Sequence, residues 1–318
     1  MSRPIKQPAL FGAPHLSQVI NVASVPQRSP FRYPGGKTWL VPRIRQWLVS
    51  LKEKPAGFIE PFAGGGIVSL TVAAEQLADH VTMVELDEQV AAVWRTIIED
   101  DDGVWLANKI INFNLASLSP ESLREIVERK THSIRERAFQ TILKNRTYRG
   151  GILAAGSAPL KEGENGKGIA SRWYAETLKK RILDIVAIRE SITFIEGDGI
   201  EAIRLNARRH NTVFYIDPPY TAAGKRAGRR LYTHSELDHE ELFKLTSSIA
   251  GDFLMTYDDT EEIRDLSHKF GFDVELVAMK NTHHAEMKEL LIGRNLDWAR
   301  SSLKGMARSN NSFNRSAG

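Results

Sequence analysis

The chain has 318 residues, 42% of them hydrophobic and 26% charged, with a formal net charge of +4 and no cysteine. That is enough material for a large core, in one domain with an insertion or in two domains, and it excludes a fibrous or disordered chain. No apolar run reaches membrane-spanning length, residues 1–30 hold no continuous apolar signal segment, and disulfides, cysteine-ligated zinc and a thiol nucleophile are ruled out. We therefore expect a cytoplasmic protein.

In chain order, residues 1–30 are rich in proline and polar groups and are expected to form a poorly ordered arm. The Ser/Asn/Arg stretch 301–318 is expected to be a flexible tail. After the arm, Phe31–Thr38 reads FRYPGGKT, whose ending looks like a phosphate-binding loop. A P-loop requires Gly-x-x-x-x-Gly-Lys-Ser/Thr after a strand, because its amides wrap the phosphates before a helix begins. Five positions before Gly36 stands Phe31, and the preceding NVASVPQRSP carries two prolines and no apolar run. The loop is expected to serve something other than a nucleoside triphosphate.

From there strands and helices alternate. GFIEP leads through AGGG into the helix IVSLTVAAEQLA, then HVTMVELD reads as a second strand and EQVAAVWRTII as a helix. This is the start of an α/β, doubly wound sheet, in which ligands sit at the carboxyl ends of parallel strands. SITFIEGD, NTVFYIDPPY, GDFLMTYDD and MKELLIG add four more short strands. Between the two groups, residues 112–190 change to basic helices and a glycine-rich loop, read as an insertion between 31–111 and 191–300. From Arg124 to Arg149 eight Lys or Arg stand against three Glu, and Lys225, Arg226, Arg229 and Arg230 crowd a second loop. Such clusters suit a polyanion, and equally a solvated helix face and a flexible loop.

Two stretches carry chemistry. The glycines of EPFAGGG allow close backbone approach to a ligand and open a helix, and Glu85 and Asp87 follow about 20 residues on, where an acid accepts from ribose hydroxyls. The pair signals an adenosine-containing ligand, with a tight turn beside two surface acids as the plain alternative. In YIDPPY an apolar strand delivers Asp217, Pro218, Pro219 and Tyr220 at its carboxyl end. A carboxylate and a proline carbonyl accept hydrogen bonds and donate none, which suits an –NH₂ group, and a planar base can stack on Tyr220.

With these motifs in order, the chain from about Phe31 to Asn295 resembles the Dam-type (class alpha) adenine-specific DNA methyltransferase family. That family uses S-adenosylmethionine (AdoMet) to methylate the exocyclic amine of adenine in duplex DNA. The resemblance implies a Rossmann-like AdoMet-dependent methyltransferase sheet with an inserted, mainly helical target-recognition domain. It implies that Tyr33 and Lys37 of FRYPGGK contact AdoMet, as do Glu60, Pro61, Gly64 and Gly66 of the glycine loop. Glu85 would be the ribose-binding acid, where many relatives have Asp, and Asp198 of FIEGDG would lie near the cofactor's adenine. Asp217 to Tyr220 would be catalytic, with Asp217 also at the cofactor, and KELLI would be the last core strand. Methyl transfer to a flipped adenine needs no metal, and His283 and His284 are read as polar loop residues.

KNRTYRGG resembles the start of the family's DNA-reading hairpin, which assigns Asn145, Arg146 and Arg149 to DNA. Relatives commonly continue with a glycine, an aromatic residue and an asparagine, where this chain has Tyr148, Arg149 and Gly150, so no target sequence is implied. Base reading and phosphate contact both remain open for these side chains. The expected partners are double-stranded DNA and a possible cognate restriction endonuclease, with the protein a monomer or weak dimer in a bacterial or phage-encoded setting and no membrane contact. Alternatives are a catalytically silent DNA-binding protein of the same fold, or an aminomethyltransferase acting on cytosine or RNA. Asp217, where a serine would favour cytosine, points to adenine.

Overall fold

The computed structural model describes residues 25–32, 36–154, 156–160, 168–219, 237–280 and 286–300. Seven strands form one sheet: β1 (Gly57–Glu60), β2 (His80–Glu85), β3 (Ile192–Glu196), β4 (Thr212–Ile216), β5 (Phe253–Asp258), β6 (Asp273–Lys280) and β7 (Glu286–Gly293). Their order is β3-β2-β1-β4-β5-β7-β6. The first five run parallel, while β7 runs antiparallel between β5 and β6. The order reverses between β1 and β4, the place where a doubly wound sheet opens a ligand crevice.

Ten α-helices are described: α1 (Val41–Ser50), α2 (Ile67–Ala74), α3 (Glu88–Trp94), α4 (Gly103–Asn112), α5 (Pro120–Glu128), α6 (Ile134–Thr147), α7 (Ala175–Val186), α8 (Gly199–Asn206), α9 (His239–Ser247) and α10 (Glu261–Lys269). Short polar side chains start several of them. Asp87, Ser119, Ser133, Asp198, Asp238 and Thr260 each accept a bond from a first-turn amide. Each such cap contributes about 1 kcal/mol.

Alternation along the strands sorts the core into two layers, because successive side chains of a strand face opposite sides. On one face Phe58, Val81, Met83, Val213, Tyr215, Leu254 and Leu291 pack against α1, α2 and α3. On the other Ile59, Phe214, Ile216, Phe253, Met255, Leu290 and Ile292 pack against α8, α9 and α10. The inserted segment joins the first layer: Ala138, Phe139 and Ile142 of α6 and Leu178 and Ile182 of α7 lie in the same cluster as Phe58 and Met83.

The structure differs from the sequence reading in two places. Strand β6 had no counterpart there: Asp273 and Glu275, both bound by Arg300, break up its apolar run, and β6 lies at the edge of the sheet, where charge guards against unwanted pairing. The end of the arm is also not loose. Val25 and Phe31 are each 5% exposed, and the Phe31 ring meets Trp94 edge-on with centroids 5.4 Å apart. Residues 1–24 and 301–318, the loop holding Lys225 to Arg230, and His283 and His284 lie outside the described residues.

Gly66 shows where the glycine turn is constrained by the protein itself. It stands just before α2 with φ +63°, and an added Cβ would lie 2.6 Å from Met83 Cε and 3.0 Å from Trp94 Cζ2. Gly66→Ala should therefore lower the unfolding free energy by roughly 1–3 kcal/mol. Denaturant titration with an unchanged slope would measure this. A variant as stable as wild type would show that the turn relaxes without strain.

Candidate active site

The same alternation that builds the core carries polar residues to one place. Glu60 follows Phe58 on β1, Glu85 follows Met83 on β2, Asp217 follows Tyr215 past β4, Thr256 follows Leu254 on β5, and Glu289 precedes Leu291 on β7. Each pair is two residues apart, so all five face the side of the sheet covered by α1 and α2. They lie at its carboxyl edge, since β7 runs backwards and sets Glu289 opposite Asp258 near the end of β5.

Lys37, in the 3₁₀ turn Lys37–Leu40 before α1, sits against this row. Its Nζ lies 3.1 Å from Asp217 Oδ1 and 3.2 Å from Glu289 Oε2, and the residue is 4% exposed. Burial works against the charge, but the two carboxylates outweigh it and hold the ammonium protonated well above the usual lysine range. Thr256 Oγ1 donates to the same Asp217 oxygen at 2.8 Å. Its one proton is used there, so the Tyr215 hydroxyl 3.2 Å away must donate to Thr256. Burial, reinforced by the charge of Asp217, keeps that phenol protonated. Glu289 is pushed up to about 7 by burial, with Lys37 pulling it down and Asp217 and Asp258 pushing it up.

The other half of the crevice lies at the ends of β1, β2 and β3. Glu60 accepts the Ser69 amide of α2 at 2.9 Å, and burial raises its carboxyl to about 8. Glu85 accepts from Gly64 N at 2.8 Å and from the Leu86 and Asp87 amides at 2.9 Å each; burial raises it to about 7 against those bonds. Trp94 Nε1 donates to the Gly64 carbonyl at 2.9 Å, which ties the glycine loop to the ring that Phe31 meets. Asp198 caps α8 through Ile200 N at 2.6 Å. Gly199 lies so close to the Pro61 carbonyl that a Cβ there would stand 2.3 Å from it. Glu60, Pro61, Gly64, Gly66, Glu85 and Asp198 thus surround adjoining strand ends, while Lys37 stands with Asp217 and Glu289. Pro218 is buried and Pro219 partly exposed; Tyr33 and Tyr220 lie outside the described residues.

Asn145 and Arg146 close α6 from the inside, 1% and 4% exposed. Asn145 Oδ1 accepts the Arg32 amide at 2.8 Å, and its Nδ2 donates to the carbonyls of Arg32 at 3.0 Å and Gly151 at 2.8 Å. Gly151 has φ +74°, and a Cβ there would lie 2.6 Å from the Arg32 carbonyl. Arg146 donates to the Pro30 carbonyl from Nε at 3.1 Å and again from Nη2. Burial, then Arg181 and Arg32, lower the Arg146 pKa to about 9. Beyond them the chain makes a short hairpin, with Arg149 N bonded to Ala158 O at 3.0 Å and Leu160 N to Thr147 O at 2.9 Å. Arg149 is exposed on that hairpin.

Tyr215, Thr256, Glu289 and Trp94 were not among the sequence candidates. Two signals were available: Tyr215 stands two residues before Asp217, and Thr256 interrupts the apolar run of FLMTY. Glu289 becomes visible only when β7 is paired with β5.

No curated protein matches the chain. Among solved structures it is similar to a proposed RNA methyltransferase from Pyrococcus horikoshii, with 12% identity, 83% of this chain and 84% of that chain covered, and a TM-score of 0.37. It is also similar to the rRNA methyltransferase aviRa from Streptomyces viridochromogenes, with 14% identity, 82% and 86% covered, and a TM-score of 0.36. A match of another kind runs over residues 33–281, from the loop that holds Lys37, through the Asp217 strand end, to the last residues of β6. It covers most of the chain, and by it the protein belongs to the D12 class N6 adenine-specific DNA methyltransferase family.

Proposed function

We propose that the protein binds duplex DNA, turns an adenine out of the stack and methylates its exocyclic amine, with AdoMet held between the ends of β1, β2 and β3 and the amine facing Asp217. The acidity of the crevice is the observation that carries this reading. Asp198, Asp217 and Asp258 stand along one edge with Glu60, Glu85 and Glu289, whose carboxyls burial holds partly neutral, and Lys37 among them is already bound to two carboxylates. Such an edge repels a triphosphate and attracts a ligand that bears a sulfonium and an ammonium. AdoMet supplies a methyl group on a sulfonium, ready for transfer to a nucleophile.

The residues do the rest. An adenine amine is a poor nucleophile because its lone pair is delocalised into the ring. Acceptance of its hydrogens by Asp217 and the Pro218 carbonyl localises that pair as the new bond forms, and only interactions that strengthen in the transition state speed the reaction. Lys37 and Thr256 both engage Asp217 Oδ1, which fixes the plane of the carboxylate before the base arrives. Preorganisation of this kind avoids reorientation at the moment of reaction.

DNA contact falls to the insertion. Of its basic side chains, Arg135 and Arg137 are paired at 3.2 Å each with Asp102 and Glu88, and Arg146 is buried. Arg129, Lys130 and Arg149 are exposed and stand in none of the described ion pairs. We assign phosphate binding to these first. Arg149 is also the side chain of the hairpin that can reach a base edge as it stands, whereas base reading by Asn145 or Arg146 requires their bonds to residues 30–32 to be exchanged.

Three outcomes test the reading. Asp217→Ala should cut methyl transfer to unmethylated DNA by at least about 100-fold, the size of losing one preorganised partner. The fold should survive, since Lys37 keeps Glu289; turnover within about tenfold of wild type would sink the mechanism. Calorimetry should show AdoMet affinity falling roughly 10- to 100-fold in Glu85→Ala and Lys37→Ala, as for lost charged hydrogen bonds. Wild type should give no heat with ATP; tight ATP binding abolished by changing Lys37 would revive the phosphate-loop reading. Finally, Arg129→Ala with Lys130→Ala should weaken binding equally for all sequences and flatten the salt dependence by about 0.9 per lost phosphate contact. Arg149→Ala, Asn145→Ala and Arg146→Ala should each be compared on target and one-base variants, where lost discrimination of roughly 1–3 kcal/mol marks a base reader. Unchanged discrimination in all three would move the search to the glycine-rich loop after Gly150.

A further inference from the structure

We propose that Glu289 is a positioning residue for methyl transfer: by sharing Lys37 with Asp217, it anchors the ammonium against the catalytic carboxylate and divides the positive charge that Asp217 feels. This rests on the reading of Asp217 as acceptor of the target amine. No motif named Glu289 as a site residue; it comes from a strand that enters the sheet in the opposite direction.

Three observations carry it. Lys37 Nζ is nearly equidistant from the two acids, 3.1 Å from Asp217 Oδ1 and 3.2 Å from Glu289 Oε2. Lys37 and Glu289 are both 4% exposed, so water does little to screen the pair. Glu289 also has a fixed origin: β7 pairs with β5 from Leu254–Gly293 through Asp258–Glu289, so its backbone is tied to the strand that carries Thr256. Thr256 and Lys37 then approach the same oxygen of Asp217 from two sides, one set by β5 and one by β7 through Lys37.

The chemistry explains why a second acid is useful. An ammonium bonded to Asp217 alone would draw electron density from the carboxylate that must accept from a weakly acidic amine. A second carboxylate on the same ammonium reduces that pull and still keeps Lys37 in place. The charged and titratable groups around Glu289 are Lys37 from the 3₁₀ turn, Asp217 from the end of β4, Asp258 from β5 and the Tyr215 phenol of β4, which burial keeps protonated. Their balance and the burial of Glu289 put its titration near neutrality, at about 7. Below that pH Glu289 is neutral, Lys37 bears on Asp217 alone, and transfer slows. Above it Glu289 is ionised, Lys37 is shared, and transfer speeds up.

The test is single-turnover methylation of a long unmethylated duplex with tritiated AdoMet, measured from well below to well above pH 7. With AdoMet saturating, wild type should show a rise in rate at a pH above the ordinary carboxylate range, because burial raises Glu289. Glu289→Gln should lose that rise and run roughly 10- to 100-fold slower at high pH, the usual size for removing a supporting partner of a reacting group. DNA affinity should be unchanged, AdoMet affinity should fall by much less than the rate, and Glu289→Asp should recover part of both the rate and the rise. A wild-type profile flat through neutrality, or Glu289→Gln as fast as wild type, overturns the proposal. So does a slow Glu289→Gln whose loss is matched by lost AdoMet affinity or thermal stability, which is the mark of a strut. If Glu289→Gln does not fold, the wild-type profile and Glu289→Asp decide. Asp217→Asn separates the two levels: activity retained there defeats the reading of Asp217 itself, whereas an inactive Asp217→Asn beside a normal Glu289→Gln defeats only the role given to Glu289.

Discussion

Carboxylates at the ends of neighbouring strands repel one another, and a sheet that turns five polar side chains to one face needs a countercharge inside it. Lys37 is that charge. Its ammonium stands between Asp217 and Glu289, and the attraction outweighs the penalty of burying it. The gain is conditional, since removing one partner of such a group leaves an uncompensated charge in a poorly solvated place. The acids that lack a cation of their own adjust in another way. Glu60 and Glu85 lean on backbone amides, and burial moves both toward neutrality, so the crevice is less strongly negative than its residue types suggest.

That arrangement also divides the electrostatic work of the molecule. The sheet edge suits a cationic cofactor and by itself would repel a phosphate backbone. The exposed cations assigned to phosphate, Arg129, Lys130 and Arg149, lie on the insertion, just after α5 and on the hairpin after α6. Asn145 and Arg146 join the two regions: they lie at the end of an insertion helix, yet their bonds go to residues 30 and 32, just before the loop that leads to Lys37. Phe31, between those residues, touches Trp94, and Trp94 holds Gly64. A continuous set of contacts therefore runs from the inserted segment to the glycine loop.

Much of this was legible in the residues. The apolar runs that became β1 to β5 and β7 are bounded by glycine, proline or acids, and the acids singled out from the sequence, Glu60, Glu85, Asp198 and Asp217, stand at or just past the carboxyl ends of β1, β2, β3 and β4. The edge strand β6 was hidden because Asp273 and Glu275, both bound by Arg300, dilute the apolar signal, a price of guarding a sheet edge. The packed end of the arm was hidden for another reason: a proline-rich, polar segment reads as loose, and what holds it is a set of side chains more than 100 positions away acting on its carbonyls, with no local signature. Asn145 and Arg146 show the limit of residue type as a guide. Both have the hydrogen-bonding forks that suit base edges, and here the same forks grip a peptide backbone. Glu289 shows a limit of a different kind, since its role depends on which way β7 runs.

The distances along the chain between partners have a consequence for how the protein is made. Lys37 and Glu289 are separated by 252 positions, and Arg43 reaches the Ala299 carbonyl across 256. Synthesis therefore delivers the ammonium long before the strand that holds it, and β7 must enter between β5 and β6 after both its neighbours exist. Contacts this remote in sequence form late, because loop closure precedes any reward from them. On a ribosome the glycine loop and its acids can assemble early, while Lys37 still has only part of its setting. The half of the crevice that holds Asp217 is completed by β7, so a growing chain that already resembles the finished crevice on one side has yet to acquire the charge pairing of the other.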